Sequence, residues 1–120
     1  MLCERDTHMQ VSVHQGPTII GVATLEHLDP PMGVAFGPFT PSGQYDCDKH
    51  ANTIEGDYVD DKGKLLSVFT EQYGLIETAS IAIEDWADPS VGKHLTVWFK
   101  DGGDFAKLFS AHDDYKAYYP

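Results

Sequence analysis

Residues 76–86 read "IETASIAIEDW", the stretch with the clearest structural signal in the chain. Its side chains alternate between two faces, and Ala79, Ile81 and Ile83 fall on the same one. A β-strand turns successive side chains to opposite faces, so this period of two predicts a strand with those three residues directed inward.

Two further stretches predict strands. Residues 93–99, "KHLTVWF", repeat the alternation after the loop "ADPSVG", and their expected inward side chains are Leu95, Val97 and Phe99. Residues 18–25, "TIIGVATL", form a short run rich in β-branched residues, which is typical of a buried strand.

Between these stretches, residues 53–70 allow two interpretations. "TIEGDYV" and "LLSVFT" flank the turn-forming "DDKGK", so the two runs are expected to pair as a hairpin. However, Leu65, Leu66, Phe69 and Tyr73 also recur at helical spacing, which makes residues 64–73 a candidate helix. We favour the strand because "VFT" has strand propensity and a glycine stands where the helix would begin.

The C-terminal stretch, residues 100–120, predicts a helix. Gly102 and Gly103 end the preceding strand, Asp104 is a plausible N-cap, and one face would carry Phe105, Leu108, Phe109 and His112. The expected fold is therefore α+β: an antiparallel sheet, curled toward a small barrel or half-barrel, with a C-terminal helix packed on it. Residues 1–120 suffice for a single domain.

Residues 28–46, "LDPPMGVAFGPFTPSGQYD", mix chain breakers with apolar side chains. The prolines exclude a helix and allow a short extended segment through residues 34–36. This loop can cover the core or form the rim of a binding surface, and both interpretations stay open. The side chains available for either role are Met32, Phe36, Phe39 and Tyr45.

The charge balance limits the classes of partner that we expect. Nineteen acidic residues against eight basic ones give a net charge of −11, which repels phosphate backbones and anionic lipid. Nucleic-acid and membrane binding are therefore not expected, whereas a basic protein partner is compatible. The first ten residues do not resemble a signal peptide, so we expect a cytoplasmic protein in which Cys3 and Cys47 stay reduced.

The motifs for metal binding and catalysis are incomplete. In "DCDKHANTIEGD", residues 46–57, the positions of an EF-hand that need glycine and glutamate hold Ala51 and Asp57. Cys47 and His50 form one C-x-x-H pair, but structural zinc sites need a second pair. No phosphate-binding loop or serine nucleophile motif is present. We expect neither a metal nor another cofactor.

These observations favour a small acidic binding or regulatory protein that acts through protein contacts, for example as an inhibitor of a cationic partner. The alternative is a small enzyme or ligand-binding domain with a pocket between loop 28–46 and the strand end at Glu84–Trp86. The oligomeric state stays open. The predicted binding residues are Met32, Phe36, Phe39, Tyr45, Asp60, Asp61 and Trp86.

Overall fold

A computed structural model describes residues 9–29, 32–71, 74–88, 90–100, 109 and 116. Strands account for 60% of these residues. They are β1 (Met9–Gln15), β2 (Thr18–Leu25), β3 (His27–Asp29), β4 (Val34–Pro41), β5 (Thr53–Ile54), β6 (Asp57–Tyr58), β7 (Leu66–Thr70), β8 (Gly74–Ile76), β9 (Thr78–Asp85) and β10 (Lys93–Phe99).

Two short helical segments connect these strands. Helix α1 spans Cys47–His50, and a 3₁₀ helix spans Lys62–Leu65. Among the described residues, no helix has the length and apolar character needed to cross a membrane.

The strands form one open sheet in the order β6-β5-β9-β10-β4-β2-β1-β7-β8, with β3 beside β4. All neighbours are antiparallel except β5 and β9, which are parallel. The path ends at two very short strands, β6 and β8. Short edges of this kind limit the pairing sites that a sheet offers to other chains.

Strand β4 joins the two halves of the sheet, which are β6-β5-β9-β10 on one side and β2-β1-β7-β8 on the other. Its first residues pair with β10 on one side and β3 on the other, and its last three residues pair with β2. Pro38 lies between the segment paired with β3 and the segment paired with β2, so its missing N–H falls where the neighbouring strand changes.

Gly37 sits at the same change of neighbour. A Cβ atom there would lie 1.8 Å from the carbonyl oxygen of Thr24, so only glycine lets the backbone of β2 come this close. Gly21 plays a similar part on β2, because the ring of Phe39 occupies the place of its missing side chain.

The core lies between the inward faces of the two halves, and every long strand supplies part of it. Its largest fully buried side chains are Ile20, Leu25, Ile81, Ile83, Leu95, Val13, Val68 and Val97. Phe109 is also buried and packs edge-to-face on Phe99, with 5.5 Å between the ring centroids. The predicted inward residues of β10 and two of the three of β9 are confirmed, whereas Ala79 is exposed.

The predicted α+β class is wrong. The described part of the chain is mostly sheet because the two halves of the sheet supply the core to each other. The predicted barrel is also wrong, since the end strands β6 and β8 do not pair and the sheet stays open. No helix packed on the sheet is found in the described ranges. The helix was predicted in residues 100–120, which lie outside those ranges apart from Lys100, Phe109 and Lys116.

Two local predictions have different outcomes. Residues 66–70 form a strand, as favoured, and not the competing helix. The predicted hairpin between residues 53–59 and 65–70 is wrong: "TIEGDY" folds back on itself as β5–β6, and β7 pairs with β1 and β8. The turn that decides this is Glu55-Gly56, where both residues have positive φ angles of 53° and 85°, as in a two-residue hairpin turn.

Candidate protein-binding surface

Three acidic segments that are separate in sequence meet at one end of the molecule. They are residues 46–48, 55–61 and 84–88. The parallel pairing of β5 with β9 brings the second segment to the third. The first is tied to the chain after β6 by the ammonium group of Lys62, which donates to the carbonyl oxygen of Asp48 over 2.6 Å.

We call this surface the acidic end. Its exposed carboxylates belong to residues from all three segments: Asp46, Asp48, Glu55, Asp57, Asp60, Glu84 and Asp88, with Asp61 half-buried beside them. In the described part of the chain, the ion pairs are Glu26–His27 and Asp85–Lys93, so no exposed carboxylate of the acidic end belongs to one. The surface therefore keeps its negative charge.

The β5–β6 hairpin places apolar side chains among these charges. Tyr58 is 69% exposed and Val59 is 52% exposed. The half-buried Trp86 lies under the turn, and a Cβ on Gly56 would be 2.9 Å from its ring. Trp86 thus supports the hairpin from inside, while Tyr58 and Val59 face solvent.

Asn52 holds the acidic end together. This buried residue donates its backbone N–H to Ile83 in β9, and its backbone carbonyl accepts from Val59 over 2.7 Å. Its side-chain oxygen accepts from the N–H of Gly63 over 2.8 Å, and its side-chain NH₂ donates to Asp61. One asparagine therefore fixes the strand, the hairpin and the start of the 3₁₀ helix relative to one another.

A buried polar network lies behind the surface. The Tyr45 hydroxyl donates to Asp85 over 2.6 Å, and Lys93 lies 3.4 Å from the other carboxylate oxygen. Burial, and next the hydrogen bond to Asp85, raise the pKa of Tyr45, so this hydroxyl stays protonated. This bond joins the two segments between which a pocket was predicted, loop 28–46 and Glu84–Trp86.

His50 has a structural role. Its Nδ1 accepts from the backbone N–H of Asp46 over 3.0 Å, so its Nε2 carries the proton and donates to Gln15 over 2.8 Å. Burial lowers the pKa of His50 and keeps it neutral. With both ring nitrogens engaged, it offers no lone pair to a metal.

Cys47 does not complete a reactive pair with it. Burial, and next the nearby Asp48, raise the pKa of the Cys47 thiol and disfavour the nucleophilic thiolate. Within the residues that the structure describes, no group of three or more His, Cys, Asp or Glu side chains could hold a metal ion.

The predicted binding residues are divided among three places. Asp60, Asp61 and Trp86 belong to the acidic end. Phe39 lies in the core at 4% exposure, and Tyr45 packs on it with 5.4 Å between the rings. The remaining two are exposed: Met32 lies just before β4, and Phe36 lies on the outward face of β4, where its ring contacts His27.

Sequence reasoning missed Asn52, Tyr58 and Val59. The signal for the last two was the "EG" dipeptide between short runs, which predicts a tight hairpin of its own. Nothing in the sequence marked Asn52, because its partners come from three separate elements.

Comparison with known proteins does not assign the chain to a family. No protein-family model matches the chain, and neither a curated protein nor a solved structure shows significant similarity to it. The function must therefore be argued from the surface itself.

Proposed function

We propose that this protein is a small acidic binding or regulatory protein, and that its acidic end binds a basic protein partner. The observation that carries the proposal is the convergence of three acidic segments around the exposed Tyr58 and Val59. Inhibition of a cationic protein in the cytoplasm is the most concrete version. Nucleic acid and membrane have no part in it, because the charge of −11 repels both.

In this proposal, charge raises the rate of association and apolar contact stabilises the complex. The unpaired carboxylates attract a cationic surface and speed encounter, an effect that salt screens with a Debye length of about 10 Å at 0.1 M. Tyr58 supplies an aromatic anchor of the kind that dominates interface energies. A rigid hairpin carries it, so little conformational entropy is lost on binding.

The alternative of an enzyme or ligand-binding domain has less support. The groups that would line its pocket, Tyr45 and Asp85, are hydrogen-bonded to each other. The histidine closest to them in the chain, His50, is engaged at both nitrogens. We therefore argue only the binding function.

The test is partner capture from a native lysate at low and high salt, with wild type and two charge-matched variants. The first variant reverses Asp57 and Asp60 to lysine within the acidic end. The control reverses Asp29 and Glu77, which are exposed outside it, so the net charge changes equally. We choose Asp57 over Asp61 because Asp61 accepts a hydrogen bond from Asn52.

The expected partner is basic, is captured by wild type and the control at low salt, and is lost by the acidic-end variant. With the purified partner, Asp57→Lys combined with Asp60→Lys should mainly slow association, and Tyr58→Ala should mainly speed dissociation. A partner that is acidic, or whose association rate ignores both salt and these reversals, would overturn the proposal.

A further inference from the structure

A second exposed apolar surface lies on the outward face of strands β2, β1, β7 and β8. The register sets Val22 opposite Ser12, Ser12 opposite Phe69, and Phe69 opposite Leu75, so these four residues form one row across the strands. Three of them are large, apolar and exposed: Val22 at 45%, Phe69 at 38% and Leu75 at 58%.

A groove of about 440 Å³ runs along β1 within this face. It exists because the short Ser12 stands between the larger Val22 and Phe69 in the same row. Its lining comprises Gln10, Val11, Ser12, His14, Val22, Phe69, Thr70 and Glu71.

The walls of this outer groove are held in place. The Ser12 hydroxyl and His14 Nε2 are hydrogen-bonded over 2.8 Å, and the His14 ring packs on Phe69 with 4.8 Å between centroids. Extending the β1–β7 register by two residues places Glu71 beside Gln10 at one end. The groove thus has apolar sides, a polar floor and one carboxylate.

The charge of the groove favours a cationic occupant. Glu71 is its one acidic lining residue, and neither lysine nor arginine lines it. A second copy of this chain would bring another net charge of −11 against the first. The groove is open to solvent, and the apolar surface continues past it to Leu75, so an extended polypeptide gains more contact here than a small molecule.

We propose that the outer groove binds an extended basic polypeptide segment lying along β1. An arginine side chain of that segment would place its methylene stem against Val22 and its guanidinium group over the face of Phe69, within reach of the Glu71 carboxylate. An arginine suits this arrangement because its planar cation both stacks on aromatic rings and pairs with carboxylates. The groove is separate from the acidic end, so either proposal can fail alone.

The test uses nuclear magnetic resonance titration of the isotope-labelled protein with a capped pentapeptide in which leucine and arginine alternate. A peptide with citrulline in place of arginine keeps the shape and removes the charge. Amide shift changes are expected at Ser12, His14, Phe69 and Glu71. The citrulline peptide should bind at least about threefold more weakly, as loss of exposed ion pairs predicts.

Two pairs of variants decide where the peptide binds. Ser12→Phe fills the groove and should abolish the shift changes on this face, whereas Ser80→Phe, on the exposed face of β9, should not. Glu71→Gln should weaken binding about threefold, and Asp29→Asn, at an exposed residue of β3, should leave it unchanged. Shift changes confined to residues 46–61, equal binding by Ser12→Phe, or equal binding of the citrulline peptide would each overturn the proposal.

Discussion

Strand β4 and the β5–β6 hairpin contain similar residues, but their aromatic side chains differ in exposure. Each combines a glycine at a tight position with an aromatic side chain, Phe39 in β4 and Tyr58 in the hairpin. Phe39 is 4% exposed, whereas Tyr58 is 69% exposed. The difference lies in their neighbours: β4 has strands on both sides, while β6 pairs with β5 alone.

The contrast shows that position in the sheet, rather than residue type, decides what an aromatic side chain does in this fold. In the centre it fills the core and stabilises the protein. At the edge an aromatic side chain contributes little to stability and is available to a partner. Substitutions in the centre should therefore change the unfolding free energy more than substitutions at the edge.

The two largest effects are expected in the centre of the sheet, and one of them comes from Gly37→Ala. The added Cβ would lie 1.8 Å from the Thr24 carbonyl oxygen, so the backbone of β2 or β4 must move. We expect a loss of about 3 kcal/mol or more in unfolding free energy, measured by chemical denaturation. Gly43→Ala, with no atom within 4 Å of its Cβ, is the control and should change stability by less than about 1 kcal/mol. Equal stabilities would show that β4 is not held this tightly.

Truncating the two aromatic residues tests the comparison directly. Phe39→Ala should cost about 3–5 kcal/mol, because it empties space beside Gly21 and Tyr45. Tyr58→Ala should stay within about 0.5 kcal/mol of wild type. Thermal and urea melts of both variants provide the measurement, and similar losses would contradict the division into centre and edge.

Asn52→Ala should have an intermediate effect, since Asn52 joins the acidic end to β9. The substitution leaves the N–H of the buried Gly63 without its acceptor, which should cost about 2 kcal/mol. Hydrogen exchange at Val59 and Asp60 should also become faster, because the segment whose N–H groups donate to the carbonyl of residue 52 loses the side-chain bonds to Asp61 and Gly63 that hold it in place. Gln44→Ala, at an exposed amide side chain, is the control. Unchanged exchange would mean that the hairpin is held elsewhere.

The smallest effect concerns pH and His50, which connects α1 to β1. Its pKa is lowered by burial, so the unfolded chain binds a proton more readily than the folded protein. Stability should therefore fall as the pH drops through about 6.5, the ordinary histidine value. His50→Gln should show a flatter melting-temperature profile between about pH 6.5 and 5 than the control His27→Gln. Parallel profiles for the two variants would rule out His50 as the cause.

The sequence predicted the strands that have a local signal, either an alternation of polar and apolar side chains or a run of β-branched residues. β2 and β10 were found at their observed bounds, and all of β9 lies within the strand predicted over residues 76–86, because alternation and β-branched residues are local signals. β4 was expected only at residues 34–36. Its length depends on β10 and β2, and the change of neighbour at Pro38 is what allows a proline in a central strand.

The candidate surface was predictable only in part. The acidic segments could be read from composition, and Asp60 and Asp61 were named with Trp86. Their convergence depends on the parallel pairing of β5 with β9, between residues far apart in the chain. The outer groove depends on a register match of Ser12 with Val22 and Phe69, which no local pattern encodes.

The pairing of β4 also bears on how the chain folds during synthesis. β1 with β2, and β3 with β4, are close in sequence and can pair early. β10 begins only at Lys93, so β4, which ends at Pro41, must wait for a strand made much later before its other side is paired. Until then the edge of β4 that will pair with β10 is open, because the missing N–H of Pro38 lies on the opposite side, toward β3 and β2. This edge is therefore where unfinished chains would pair with one another until β10 is made.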